Sequence, residues 1–274
     1  MDSLRRRGLE LETGGFFRTR LRMASRSLVW FISDIVKTIN NPKRVRNIFY
    51  RKKLSPWLWS YRSEAHTSLK QSAKAGFEVR NYADYSEYVR HQGSKLDRFL
   101  LDFDDSWLKK YDISYRNSLR ERLRPHIQDS GLGVLCLGAR IGTEVKAFID
   151  LGCFTVGLDL NPGSQNRYVV FGDFHELQYA DETVDMVFTN SFDHVLYPDK
   201  VLSEVRRILK PNGSFLAELA FGREGGIEPG EYESFYWSRL DDLIHTIEAH
   251  SFELVHRETI SRARDFLIFR KTSG

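Results

Sequence analysis

From Gly131 to the end of the chain, short apolar runs alternate with helical patterns, and this alternation restricts the fold more than any other feature. Segments 134–137, 155–158, 168–171, 184–189 and 214–219 read as strands, and 142–151, 198–209 and 239–250 as helices. The strands are nearly continuous in apolar residues, so both of their faces must be covered. That is the pattern of a mostly parallel sheet with helices on either side. Segments 252–256 and 266–269 follow with no helix between them, so a hairpin should add an antiparallel strand at the C-terminal end. A chain of 274 residues, 41% hydrophobic and 28% charged, can bury a core of this kind beside an extension.

The charge is uneven. Residues 1–53 carry 14 Lys/Arg against 4 Asp/Glu, a balance of +10, whereas the whole chain stands at +4, which leaves the rest at −6. A basic head on a mildly acidic body points to an acidic partner for the head: a membrane surface, nucleic acid or an acidic protein. Within it Leu28, Ile32, Ile35, Val36 and Ile39 recur at helical spacing. The stripe reads either as the core face of a helix packed on its own domain or as an interfacial membrane helix flanked by arginines. It is too short, and too interrupted by Asp34 and Lys37, to span a bilayer. Only two cysteines occur, Cys136 and Cys153, with neither disulfide nor metal-ligand spacing, and no metal is expected from them. A reducing, cytoplasmic setting fits, with peripheral membrane contact through residues 1–53 as a second expectation. The reading thus divides the chain into a basic extension with an amphipathic helix (1–53), a helical lead-in (54–128, with helices at 82–91 and 117–127 and Pro125 disturbing the second) and an α/β domain (129–274).

The chemistry is carried by motifs in the α/β part. VLCLGARIGTE over 134–144 is a strand, a turn with Gly138 and Gly142, and a helix start that offers free N–H groups. About twenty residues on, VGLDLNP over 156–162 ends the next strand with Asp159, an acid placed to accept ribose hydroxyls. Each feature alone is also what an ordinary turn or helix cap looks like. Turn and acid at this spacing fit a nucleoside ligand, either a dinucleotide or S-adenosylmethionine. The turn lacks the GxGxxG of a pyrophosphate cradle, which argues against a nicotinamide cofactor. Gly172-Asp173-Phe174, the run from Asp185 to Asn190-Ser191 and Asp193-His194, and Lys210-Pro211-Asn212-Gly213 follow in order.

With these motifs in this order, residues 131–221 resemble the methyltransferase type 11 family of class I S-adenosylmethionine-dependent enzymes. The strand-helix count extends the resemblance to about residue 270. It implies a Rossmann-like seven-stranded, mostly parallel sheet with a C-terminal antiparallel strand, and S-adenosyl-L-methionine as cofactor. By the resemblance, Gly138, Ala139 and Gly142 line the methionine and ribose portion, Asp159 takes the ribose hydroxyls and Leu160 touches adenine. Asp173 receives the adenine amino group and Phe174 offers its backbone N–H. Asn190 and Ser191 lie near the methionine end. Two residues depart from the family: Cys136 stands where an acid is usual, and Arg140 where a glycine is usual. Glu144 is then expected to replace the missing acid, and Arg140 to pair with the cofactor's carboxylate or with an anionic substrate.

Methyl transfer from a sulfonium demands positioning more than elaborate catalysis, and an oxygen acceptor also benefits from a base. His194 and Asp193, after the fourth strand, are the candidates. The glycine- and aromatic-rich stretch 225–237 is expected to cover the acceptor, with His91, Gln92 and Lys95 closing the other side. No Asn-Pro-Pro-aromatic signature stands at Asn190 and no cysteine lies near the fourth or fifth strand, so nucleic-acid bases are disfavoured as acceptors. A small molecule or a saccharide, methylated at oxygen, is the expected substrate. The competing class is a noncatalytic binding protein on a degenerate methyltransferase fold.

Overall fold

A computed structural model describes residues 69–72 and 75–273. The expectations for the basic extension and for the start of the lead-in segment lie outside these residues. Among the described residues no helix is long and apolar enough to cross a membrane.

The α/β region forms one seven-stranded sheet. Its strands are β3 (Gly133–Leu137), β4 (Phe154–Asp159), β5 (Val169–Phe171), β6 (Val184–Thr189), β7 (Leu209–Ala220), β9 (Phe252–Thr259) and β10 (Arg264–Lys271). The spatial order is β5-β4-β3-β6-β7-β10-β9. The pairs from β5 through β7 are parallel, while β10 runs antiparallel to both β7 and β9. The expected hairpin is therefore present, and its second strand is inserted between β7 and β9. Alternate residues of the central strands β3, β6, β7 and β10 feed two cores. Leu135, Leu137 and Val187 join one face with α4 (Pro198–Ile208) and α5 (Leu240–Glu248); Val134, Cys136 and Phe188 join the other with α2 (Asp105–Leu123) and α3 (Thr143–Ile149). Burial on both faces explains why the strands lack polar alternation.

Two features were not anticipated. The first is a three-stranded antiparallel sheet of β1 (Leu69–Gln71), β2 (Phe77–Arg80) and β8 (Phe235–Trp237), ordered β1-β2-β8. Stretch 225–237, expected to be a covering loop, thus ends as a buried strand, with Trp237 donating its indole N–H to the Ala220 carbonyl. The second is the length of the lead-in helices. The helix read as 82–91 is α1 (Tyr85–Asp102). It starts at a reciprocal cap, in which Asp84 accepts from the Glu87 N–H and Glu87 accepts from the Ala83 N–H. The helix read as 117–127 begins twelve residues earlier, capped by Asp104, and gives way at Leu123 to a short 3₁₀ turn that holds Pro125. Its many charges hide the start, because helical periodicity is legible only where an apolar stripe is strong.

Candidate functional site

The sheet places its ligand cleft where open α/β sheets do, beyond the carboxyl ends of the parallel strands beside the order reversal at β3. The cleft is lined by Gly138, Arg140, Asp159, Leu160, Phe174, Ser191 and His194 from the sheet side, and by Gln92, Lys95 and Leu96 from α1.

Gly138 shows why the turn after β3 needs glycine. Its φ is +69°, and a Cβ there would stand 2.9 Å from Cβ of Ser191. The turn therefore leaves its backbone bare toward the cleft. Arg140 occupies the family's glycine position with φ +41°, the left-handed region that glycine adopts freely and arginine rarely does. Its guanidinium lies on the face of Phe99, 4.4 Å from the ring centre. Asp159 closes β4 with both carboxylate oxygens oriented by backbone: one accepts from the Asn161 N–H at 2.8 Å, the other from the Arg140 N–H at 3.0 Å. Burial raises its pKa, opposed by those two hydrogen bonds. Each oxygen keeps a lone pair for a further donor such as a diol.

At the opposite end stands His194, in a 3₁₀ turn after β6 (Phe192–His194). Its Nδ1 lies 2.8 Å from the Tyr232 carbonyl oxygen, so Nδ1 carries the proton and Nε2 presents a lone pair. The Lys95 ammonium meets that lone pair. Burial, with Lys95 second, holds the imidazole well below its ordinary pKa, so it is neutral at pH 7. Burial, with Arg140 second, brings Lys95 down to about 8. The Tyr232 carbonyl also accepts from Gln92 Nε2 at 2.7 Å, and His91 stacks on the Tyr232 ring at 4.9 Å. Segment 230–234 is thus tied to α1 through Gln92 and His91. Arg80 pins it from below through the Glu233 and Gly230 carbonyls.

Other candidates sit behind the cleft lining. Ala139 is 1% exposed and packs where Gly157 has no side chain; Gly142, φ +77°, is the cap residue of α3. Glu144 and Asn190 face each other: Asn190 Nδ2 donates to Glu144 Oε1 at 2.9 Å and to the Tyr115 hydroxyl at 2.8 Å. Tyr115 donates onward to Glu218, which pairs with Arg122. Burial pushes the Glu144 carboxyl up to about 7, and burial together with Glu144 pushes the Cys136 thiol well up. Asp173 is engaged by the Tyr85 hydroxyl and by His175, through its N–H and Nδ1 at 2.8 Å each. Asp193 lies beneath His194, 6% exposed, its carboxyl pushed up by burial and drawn down by Arg264 and Lys95.

Sequence reasoning named neither Leu96 nor the polar chain through Tyr115 and Glu218. Leu96 was legible in principle, since it shares a helix face with Gln92 and lies one turn on. Tyr115 and Glu218 are far apart in the chain and carry no local pattern.

Comparison with known proteins agrees with this geometry. Residues 135–217 match the family described as "Methyltransferase domain". A malonyl-[acyl-carrier protein] O-methyltransferase from Methylococcus capsulatus is 34% identical over 85 residues, 31% of this chain and 29% of that protein. A sterol 24-C-methyltransferase from Gibberella zeae is 24% identical over 166 residues, 49% of this chain and 43% of that protein. The chain thus spans less than half the length of these curated relatives. The structure of a 1,6-didemethyltoxoflavin-N1-methyltransferase from Burkholderia thailandensis, with 1,6-didemethyltoxoflavin and S-adenosylhomocysteine bound, superimposes with a TM-score of 0.55 at 18% identity. It covers 74% of this chain and 99% of that one, a likeness of fold. The match over residues 135–217 and the strand order around it together identify this part of the chain as a methyltransferase domain with the class I fold.

Proposed function

We propose that the domain binds S-adenosylmethionine between Gly138 and Asp159 and methylates an oxygen of a small-molecule or saccharide acceptor entering between α1 and segment 230–234. The observation that carries this reading is the polarity of the cleft. A diol-accepting carboxylate stands at one end, and a neutral imidazole facing an ammonium stands at the other. When bound, the cofactor supplies an electrophilic methyl group on a sulfonium. Asp159 would hold the ribose hydroxyls, Leu160 and Phe174 the adenine, and Arg140 the carboxylate. The Tyr232 carbonyl keeps His194 in the tautomer whose Nε2 can accept a proton from an acceptor hydroxyl. Lys95, which occupies that lone pair here, would move aside or bond the acceptor oxygen itself.

The competing reading, a binding protein on a degenerate fold, is favoured by Arg140 and Cys136 at two family positions. One pair of experiments separates the two. Calorimetric titration with S-adenosylhomocysteine reports the cofactor site, and a screen with isotope-labelled methyl donor reports transfer. Binding with His194→Ala lowering transfer by about 100-fold or more supports the proposal. Binding with no transfer to any acceptor supports the noncatalytic reading, and absent binding removes both.

A further inference from the structure

Behind the acceptor end of the cleft, three residues bring donor atoms together in a way that methyl transfer does not require. One oxygen of Asp193, one oxygen of Glu233 and one ring nitrogen of His194 lie within 4.8 Å of one another. Asp193 Oδ1 is 3.5 Å from His194 Nε2. Asp193 and Glu233 each hold an oxygen that is buried and has no hydrogen-bond partner among the described residues: Oδ1 and Oε2. A buried carboxylate oxygen left without a donor is costly, and its presence calls for a missing partner. Two such oxygens converging on one imidazole nitrogen call for a cation. The Lys95 ammonium interacts electrostatically with both carboxylates and meets Nε2, yet donates a hydrogen bond to neither orphaned oxygen.

We propose that Asp193, His194 and Glu233 form a site for a single first-row divalent cation, Mn²⁺ or Zn²⁺, at the acceptor end of the cleft. Two carboxylate oxygens and one imidazole nitrogen are the donor types such ions take. Ligand bonds of about 2.0–2.2 Å put neighbouring donors of a tetrahedral ion roughly 3.4 Å apart, so a donor pair at the 4.8 Å limit would close by about 1–1.5 Å on binding. Second-sphere support is in place. The Tyr232 carbonyl fixes the His194 tautomer that leaves Nε2 free for an ion, and the Ser234 N–H donates to the Asp193 carbonyl. His194 is the ligand that also lines the cleft, so three protein ligands would leave coordination positions open toward an acceptor. The ion and the Lys95 ammonium compete for one lone pair. With the ion bound, lowering the proton affinity of an acceptor hydroxyl falls to the metal and not to the imidazole. The acceptor class is thereby narrowed to oxygen donors. That narrowing rests on the methyl-transfer reading, whereas the ion site itself does not.

The full chain is stripped with chelator and titrated with Mn²⁺ alone, the free ion being read by electron paramagnetic resonance and folding by circular dichroism. The expected result is one saturable equivalent. Asp193→Asn and Glu233→Gln should each weaken it by tenfold or more. Lys95→Met, which removes the competing cation and leaves all three ligands, should tighten it by a similar factor. No saturable equivalent in either the native chain or Lys95→Met, or binding indifferent to both carboxylate variants in folded protein, overturns the proposal. A parallel titration with S-adenosylhomocysteine on the same sample keeps the outcomes apart. Cofactor binding without Mn²⁺ binding sinks the ion site alone, and Mn²⁺ binding without cofactor binding sinks the methyl-transfer reading alone.

Discussion

Replacing Glu144 by Gln should make the protein more stable and its cofactor site weaker. Glu144 starts α3 with its carboxyl buried against Asn190, and burial raises its pKa from 4.5 to about 7. Each tenfold change in proton affinity is worth about 1.4 kcal/mol, so ionising this carboxyl in the folded state costs on the order of 3 kcal/mol. The sign follows from which state holds the proton. Below pH 4.5 both folded and unfolded chains are protonated and the cost is absent. As pH rises from 4.5 toward 7 the unfolded chain ionises first, so stability falls, and beyond about 7 the loss is complete. Glutamine keeps the oxygen that accepts from Asn190 and never ionises. The variant should therefore match the native chain near pH 4.5 and exceed it at pH 8.5 by about 1–3 kcal/mol, the upper end being reached only if the surroundings do not relax. For a domain of this size that is roughly 3–10 °C in Tm. If Glu144 also replaces the acid missing at Cys136 as partner of the cofactor's ammonium, S-adenosylhomocysteine should bind about tenfold more weakly, the scale of one charge-assisted hydrogen bond. The assay is melting of both proteins between pH 4.5 and 8.5, with calorimetry at pH 8. A Tm difference that does not change with pH would refute the electrostatic argument, and an unchanged affinity would remove Glu144 from the cofactor site.

Three further outcomes are expected. Asp159→Ala should weaken S-adenosylhomocysteine by about 1–3 kcal/mol, the cost of losing hydrogen bonds to a charged group, and unchanged affinity in folded protein would show that the ribose does not rest there. Arg140→Gly relieves a left-handed arginine, worth roughly 1–2 kcal/mol, and loses the contact with Phe99, worth roughly 0.5–2 kcal/mol. Its Tm should thus move little while cofactor affinity falls several-fold; native affinity and turnover would deny the guanidinium a role. A chain starting at Ser55 should keep cofactor binding and lose flotation with anionic vesicles, because the +10 balance and the Leu28–Ile39 stripe both lie before it. A longer chain that never floats, beside a destabilised shorter one, would instead assign the stripe to packing.

The sequence by itself determined the layered architecture and named residues on both walls of the cleft, and the tertiary structure decided which of the named residues face it. Strands buried on both faces must be written as apolar runs, so β3, β6 and β10 were legible from local composition. Gly138 and Asp159 were legible because a tight turn and a strand-end acid are local requirements at fixed spacing. Which candidates face the ligand was not legible. Asn190 and Ser191 are adjacent in the chain, yet Ser191 lines the cleft while Asn190 turns inward to Glu144 and Tyr115. Asp173 sits in a recognisable motif, yet its oxygens are engaged by Tyr85 and His175. Those partners come from α1 and from a neighbouring turn, and only packing brings them together. The same holds for Glu233, which no local pattern links to Asp193 and His194. Segment 230–234 reaches them because β8 pairs with β2 and the Tyr232 carbonyl is held from both sides, by Gln92 and by His194. Short-range chemistry is written in the spacing of residues, whereas the direction of a side chain and the company it keeps are set by contacts between segments far apart in the chain.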